Sequence, residues 1–94
     1  MNRKMVFIGI RWCPPCRHAK NCLIPEVDKD CPGQVLVVDA EDDPDNLARK
    51  NHIVKVPTIL LMEDESVVKK FSGALPSAEV LICWLKGGEL DGTD

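Results

Sequence analysis

No stretch of this chain approaches the ~20 consecutive apolar residues that cross a bilayer; the run near its start, Met5-Val6-Phe7-Ile8-Gly9-Ile10, has six residues. The run is also too short for the core of a signal peptide, and no small-residue cleavage site follows it. A cytoplasmic protein in a reducing compartment, with no membrane contact, is the expectation. Charge of one sign is equally scarce: 12 Lys and Arg face 15 Asp and Glu, for a formal net charge of −3. Because the two signs are interspersed, no basic patch points to nucleic acid. With 94 residues the chain makes one small domain with a modest core.

What the chain does contain is Trp12-Cys13-Pro14-Pro15-Cys16, two thiols separated by two residues. The preceding run is short and β-branched, which reads as a strand buried on both faces. Proline is tolerated in the first turn of a helix, so Pro14 and Pro15 predict a helix start, continued by Arg17 to Ile24. Cys13 then lies at a helix N-terminus, where unpaired N–H groups favour an anion and lower a thiol pKa from ~8.5 towards ~7. Cys16, one turn later, faces inward within bridging distance. A dithiol centre follows, in which one cysteine attacks and the other resolves. The alternatives are half of a zinc site or inert thiols. Against zinc, Cys22, Cys31 and Cys83 are single and irregularly spaced, and two prolines make a poor zinc knuckle. No metal and no cofactor are expected.

Pro32-Gly33 breaks the chain before Val35-Leu36-Val37-Val38, a second apolar run read as another buried strand parallel to the first. Pro25 predicts a kink or break in the crossover helix near Ile24. The acidic stretch from Asp39 to Asp45 lacks the glycine and terminal glutamate of a calcium loop, and Asp43-Pro44 reads as the start of a helix running to about Asn51. Ile59 to Met62 and Val67 to Phe71 form a hairpin around Glu63-Asp64-Glu65-Ser66. A last helix carries Val80, Leu81, Trp84 and Leu85 on one face and ends at Gly87-Gly88. Residues 1–88 make the domain, and Glu89 to Asp94 an acidic tail expected to fray. Trp84 and Cys83 read as core, while Cys31 reads as the most exposed of the three remaining cysteines. His18 reads as an ordinary exposed histidine.

Three motifs in order, Trp12-Cys13-Pro14-Pro15-Cys16, Val56-Pro57-Thr58 and Gly73-Ala74-Leu75, together with Val38-Asp39 and Asp43-Pro44 between them, resemble the thioredoxin superfamily over nearly the whole chain. The resemblance implies an α/β fold: a minimal thioredoxin fold, a four-stranded mixed sheet flanked by helices, without the N-terminal strand and helix of full thioredoxins. It implies a cis Pro57 facing the cysteines, with Val56 presenting its backbone to an extended peptide beside Gly73 and Ala74. Trp12 would line the same docking surface, and Pro14 and Pro15 would tune the redox potential. The activity implied is reduction of protein disulfides by a monomer, with Cys13 as nucleophile and Cys16 resolving.

Departures from the family are informative. Typical thioredoxins bury an aspartate six residues before the first cysteine, near a lysine on the next strand; here those places hold Phe7 and Val37. The group that takes the Cys16 proton is therefore open. Compared with glutaredoxins, the tyrosine between the cysteines is absent, and Gly73-Ala74-Leu75 resembles the thioredoxin version of its loop. An NADPH-dependent thioredoxin reductase is the expected electron donor, with glutathione the alternative, for which Arg11 and Lys55 would bind an anion. A redox sensor or adaptor that does not turn over is the reading from another class.

Overall fold

The structure, a computed structural model, describes residues 2–42, 49 and 55–90. Strand β1 (Arg3–Gly9) leads into helix α1 (Pro14–His18), a π-helical turn (Ala19–Leu23) and helix α2 (Ile24–Asp30); strand β2 (Val35–Asp39) follows. After the undescribed stretch come β3 (Thr58–Glu63), β4 (Ser66–Ser72) and helix α3 (Ala78–Leu85). The sheet order is β2-β1-β3-β4, with β1 parallel to β2 and antiparallel to β3, and β4 antiparallel to β3. This is the expected four-stranded mixed sheet flanked by helices.

Strand β1 occupies an inner position because it is apolar on both faces, and Met5, Val6, Phe7 and Ile8 are all buried. Side-chain alternation sends Met5 and Phe7, with Ile59 and Leu61 of β3, into one core cluster together with Ile24, Val27, Leu81 and Trp84 from the helices. The alternate residues Val6, Ile8, Leu60 and Met62 form a second cluster on the other face, with Val38, Ala40 and Val56 packed against it.

Strand β2 departs from the expectation of a buried strand. It lies at the edge of the sheet, and Leu36 and Val37 are 44% and 41% exposed. A continuous apolar run shows that a segment suits a sheet but not how many neighbours it has.

The disruption expected at Pro25 takes the form of the π turn. The Ile24 N–H donates to the Ala19 carbonyl, five residues back. Pro25 has no N–H to give, and its ring would crowd the Asn21 carbonyl in an unbroken α-helix. Widening one turn absorbs both problems, and the helix continues with Ile24 and Val27 still facing the core.

The β3–β4 turn pairs Glu63 with Ser66 across Asp64 and Glu65, and Asp64 takes φ 58°, a conformation that aspartate tolerates better than most side chains. Ser77 caps α3 by accepting from the Val80 N–H at 3.4 Å. The helix buries Ala78, Leu81, Trp84 and Leu85 and stops before Gly87, at φ +107°. Beyond it Leu90 packs against the core. Residues 91–94 and the helix expected from Asp43-Pro44 to Asn51 lie outside the described residues. No described helix is long and apolar enough to cross a membrane.

At the end of the sheet where β1 begins, Arg3 gathers several elements. Its Nε pairs with Glu63 at 2.9 Å, and its Nη1 donates to the carbonyls of Trp84 at 2.8 Å and Gly88 at 2.7 Å. The guanidinium also lies 4.7 Å from the centre of a Trp84 ring. Gln34 adds a bridge, its Nε2 donating to the carbonyls of Arg3 at 3.1 Å and Leu85 at 3.0 Å.

Candidate active site

The opposite end of β1 runs into the cysteine pair. Cys13 is the N-cap of α1, with extended backbone at φ −100°, and Pro14 and Pro15 fill the first helical positions, where no intrahelical N–H is required. Its Sγ accepts from the Cys16 N–H at 3.4 Å. Both thiols are free; Cys13 is half-buried, whereas Cys16 is 2% exposed. Gly9 makes that burial possible: a Cβ at this position would sit 3.0 Å from Cys16 Cβ and 3.2 Å from Cys16 Sγ. One sulfur thus meets solvent while its neighbour lies against the strand.

Burial pushes the Cys16 thiol up to about 11, and its hydrogen bond with the Cys13 side chain adds to the rise; a backbone contact with Ile10 opposes it. Cys16 is therefore held as a thiol at neutral pH.

The second and third motifs meet each other. The Val56–Pro57 peptide is cis, Pro57 is buried, and its carbonyl accepts from the Gly73 N–H at 3.1 Å. Gly73 has φ +78°, where a side chain would be strained, and Ala74 N–H turns back to the Ser72 carbonyl at 3.0 Å. Thr58 braces the loop from beneath: its buried hydroxyl donates to the Lys55 carbonyl at 2.6 Å and lies 3.2 Å from Ser72 Oγ. Cys13 and Val56 both pack on the rim of the same core cluster. Gly73 and Ala74 are exposed, as are Pro14 and Pro15. Trp12 is 61% exposed beside Cys13, so its ring is surface and not core.

Behind Cys16 opens a cleft of about 370 Å³ between β2 and the helical segment. Phe7 and Val37, partners in the β1–β2 register, both line it. Asp39 and Lys20 line it too, and neither stands out as a site residue in the sequence. The signal available was their placement, Asp39 at the end of a strand parallel to β1 and Lys20 one turn beyond Cys16, but only the register joins them.

Two other cysteines depart from expectation. Cys31 is 2% exposed, because the chain turns inward as α2 ends, and burial raises its pKa. Cys83 is exposed, on the side of α3 away from Leu81 and Trp84, with Gly88 packed so closely that a Cβ there would come within 2.6 Å of its sulfur. Cys22 is exposed with Sγ 3.9 Å from His18 Nδ1. Among the described residues no group of three or more His, Cys, Asp or Glu side chains converges as a metal site.

Comparison with solved structures finds the same fold in several thioredoxins. Fasciola hepatica thioredoxin is 24% identical, with TM-score 0.74 over 94% of this chain and 82% of that one. Mitochondrial thioredoxin 3 of Saccharomyces cerevisiae, in its oxidised form, is 21% identical, with TM-score 0.72 over 90% of this chain and 77% of its own. A malaria parasite thioredoxin-2, described as a component of protein secretion machinery, is 19% identical with TM-score 0.70, covering 90% of this chain and 82% of its own. A search of curated proteins found no match. The family model described as Thioredoxin matches residues 4–86, from the first strand through the last helix, and the chain therefore belongs to the thioredoxin family.

Proposed function

We propose that this protein reduces disulfides in other proteins, with Cys13 as the attacking and Cys16 as the resolving thiol. The observation that carries the reading is the asymmetry of the pair: Cys13 is accessible, whereas Cys16 is buried against Gly9 with its proton firmly held. Only the accessible sulfur can meet a protein substrate. The buried one can react only with what has already joined its neighbour.

Cys13 thiolate attacks one sulfur of the substrate disulfide, forming a mixed disulfide and releasing the other substrate sulfur as a thiolate, which takes a proton. Cys16 then loses its proton and attacks Cys13 Sγ. The Cys13–substrate bond breaks as the Cys13–Cys16 bond forms, and the second substrate sulfur leaves reduced. Two electrons have passed from the dithiol to the substrate. An external donor restores the pair.

Substrate binding is assigned to the surface around Cys13. Val56, preceding cis Pro57, offers backbone groups to an extended segment; Gly73 and Ala74 expose main chain beside it, and Trp12 supplies an apolar wall. Pro14 and Pro15 stiffen the link between the thiols. An NADPH-dependent thioredoxin reductase is the donor this reading favours, and a reducing compartment such as the cytoplasm is where it would operate.

The test is NADPH consumption during reduction of a model protein disulfide, with either thioredoxin reductase or glutathione plus glutathione reductase. Turnover through the flavoprotein is expected. Turnover only through glutathione would move the activity to the glutaredoxin type, and none with either donor would overturn the reading. Cys16→Ser should accumulate a mixed disulfide with the substrate.

A further inference from the structure

Resolution of the mixed disulfide requires Cys16 to give up a proton while it is buried, and Phe7 and Val37 leave no carboxylate or amine at the corresponding places on the sheet. The cleft behind Cys16 offers another route. Gly9, against which Cys16 Sγ rests, is the register partner of Asp39, and the Ala40 N–H bonds to the Gly9 carbonyl at 2.9 Å, holding the end of β2 against this point. Alternation along β2 puts Asp39 on the same face as Val37, and Cys16, Val37 and Asp39 all line the cleft. At ~30 Å³ of liquid volume per molecule, a cleft of about 370 Å³ has room for several waters.

We propose that Asp39 is the proton acceptor for Cys16, reached through water in this cleft, a role that rests on the dithiol reading above. Among the described residues, the other charged groups lining the cleft are cations: Arg11 from the loop after β1, Arg17 from α1 and Lys20 from the π turn. Asn21 contributes an amide, which is not a proton acceptor at neutral pH. Asp39 is thus the one carboxylate among the described lining residues. In the step, water relays the Cys16 proton to the Asp39 carboxylate, Cys16 thiolate attacks Cys13 Sγ as the Cys13–substrate bond breaks, and Asp39 returns the proton through the water to the departing substrate thiolate or to solvent, which then protonates it. Net charge in the cleft is unchanged by the transfer. The three cations offset the negative charge whether it sits on carboxylate or sulfur. Burial, which holds the thiol near 11, is what makes a local acceptor useful.

The experiment is stopped-flow reaction of the reduced protein with an aromatic disulfide reagent, comparing native protein with Asp39→Asn and Asp39→Glu from pH 6 to 10. Release of the first aromatic thiolate reports attack by Cys13, and release of the second reports resolution by Cys16. Asparagine keeps an oxygen able to accept the Glu41 N–H that Asp39 Oδ1 now accepts at 2.8 Å, so the turn after β2 is preserved. The expected result is an unchanged first phase, a second phase slowed about tenfold or more at pH 7 with the difference closing at high pH, and partial recovery in Asp39→Glu. A second phase in Asp39→Asn that follows the native pH profile overturns the role of Asp39 and leaves the dithiol reading standing. A native protein with no second phase overturns both.

Discussion

The two ends of β1 are built on opposite plans. At its first residue, Arg3 joins β3, α3 and the segment after α3 through an ion pair, two carbonyl bonds and a Trp84 ring, and Gln34 adds two more bonds to the same knot. At its last residue, Gly9 carries no side chain, and the elements beyond it are an exposed tryptophan, two prolines and a cysteine pair. Among the described residues, the polar bonds at that end are mostly main chain, such as Gly73 to Pro57. Among the described residues, long-range side-chain cross-links are concentrated where no chemistry is proposed, leaving the reactive end free to bind and release partners.

Cys13→Ser is expected to lower disulfide-reductase activity by about a thousandfold or more, with the denaturation midpoint close to that of the native protein. Leu81→Ala, in the core between the two ends, should cost about 2–5 kcal/mol in urea or guanidinium unfolding. Arg3→Ala removes the donor to the Gly88 carbonyl, one of the donors to the Trp84 carbonyl, which keeps the Gly87 N–H at 3.0 Å, and the ion pair with Glu63, for a loss of about 1–3 kcal/mol. Its activity at a temperature where it stays folded should match the native protein. A large loss of activity in Arg3→Ala would mean that the two ends are coupled and not merely different.

The smaller effects sharpen the contrast at the reactive end. Cys16 has a folded pKa near 11 against an ordinary 9.0, so its neutral form stabilises the reduced fold fully below pH 9, and that contribution is lost as pH rises towards 11. The loss should be roughly 1–3 kcal/mol in reducing buffer, and Cys16→Ala should remove it, leaving only the contribution of the same sign from buried Cys31. Trp12→Ala should change stability by less than about 0.5 kcal/mol, as expected for an exposed side chain. Its expected effect is a few-fold rise in KM for a protein disulfide with kcat little changed, and an unchanged KM would remove Trp12 from the docking surface.

Legibility followed the range of the interactions. Strands β1 and β3, the β3–β4 hairpin, α3 with its end before Gly87 and the helix opened by Pro14 were all readable, because each is written in residues close in sequence. The π turn was foreshadowed by Pro25, but its form was not. Cys31 and Cys83 were assigned the wrong environments because each sits near a helix end or at a face boundary, where one turn of backbone decides between core and water. Leu36 and Val37 misled for a related reason: their apolar run reflects strand propensity, and the edge position came from the sheet order.

The amino-acid order by itself determined the thiol spacing, the alternation that splits Met5 and Phe7 from Val6 and Ile8, and the positions of the prolines and glycines that start and stop elements. These are short-range properties, governed by backbone sterics and side-chain period. Only the tertiary structure decided that Cys31 is buried while Cys83 is exposed, that Pro57 bonds to Gly73, that Asp39 shares a cleft with Cys16, and that Arg3 reaches Gly88 across 85 residues. Those outcomes depend on strand order and register, which are settled when separate apolar faces find one another, and no local pattern records which partner each face will meet.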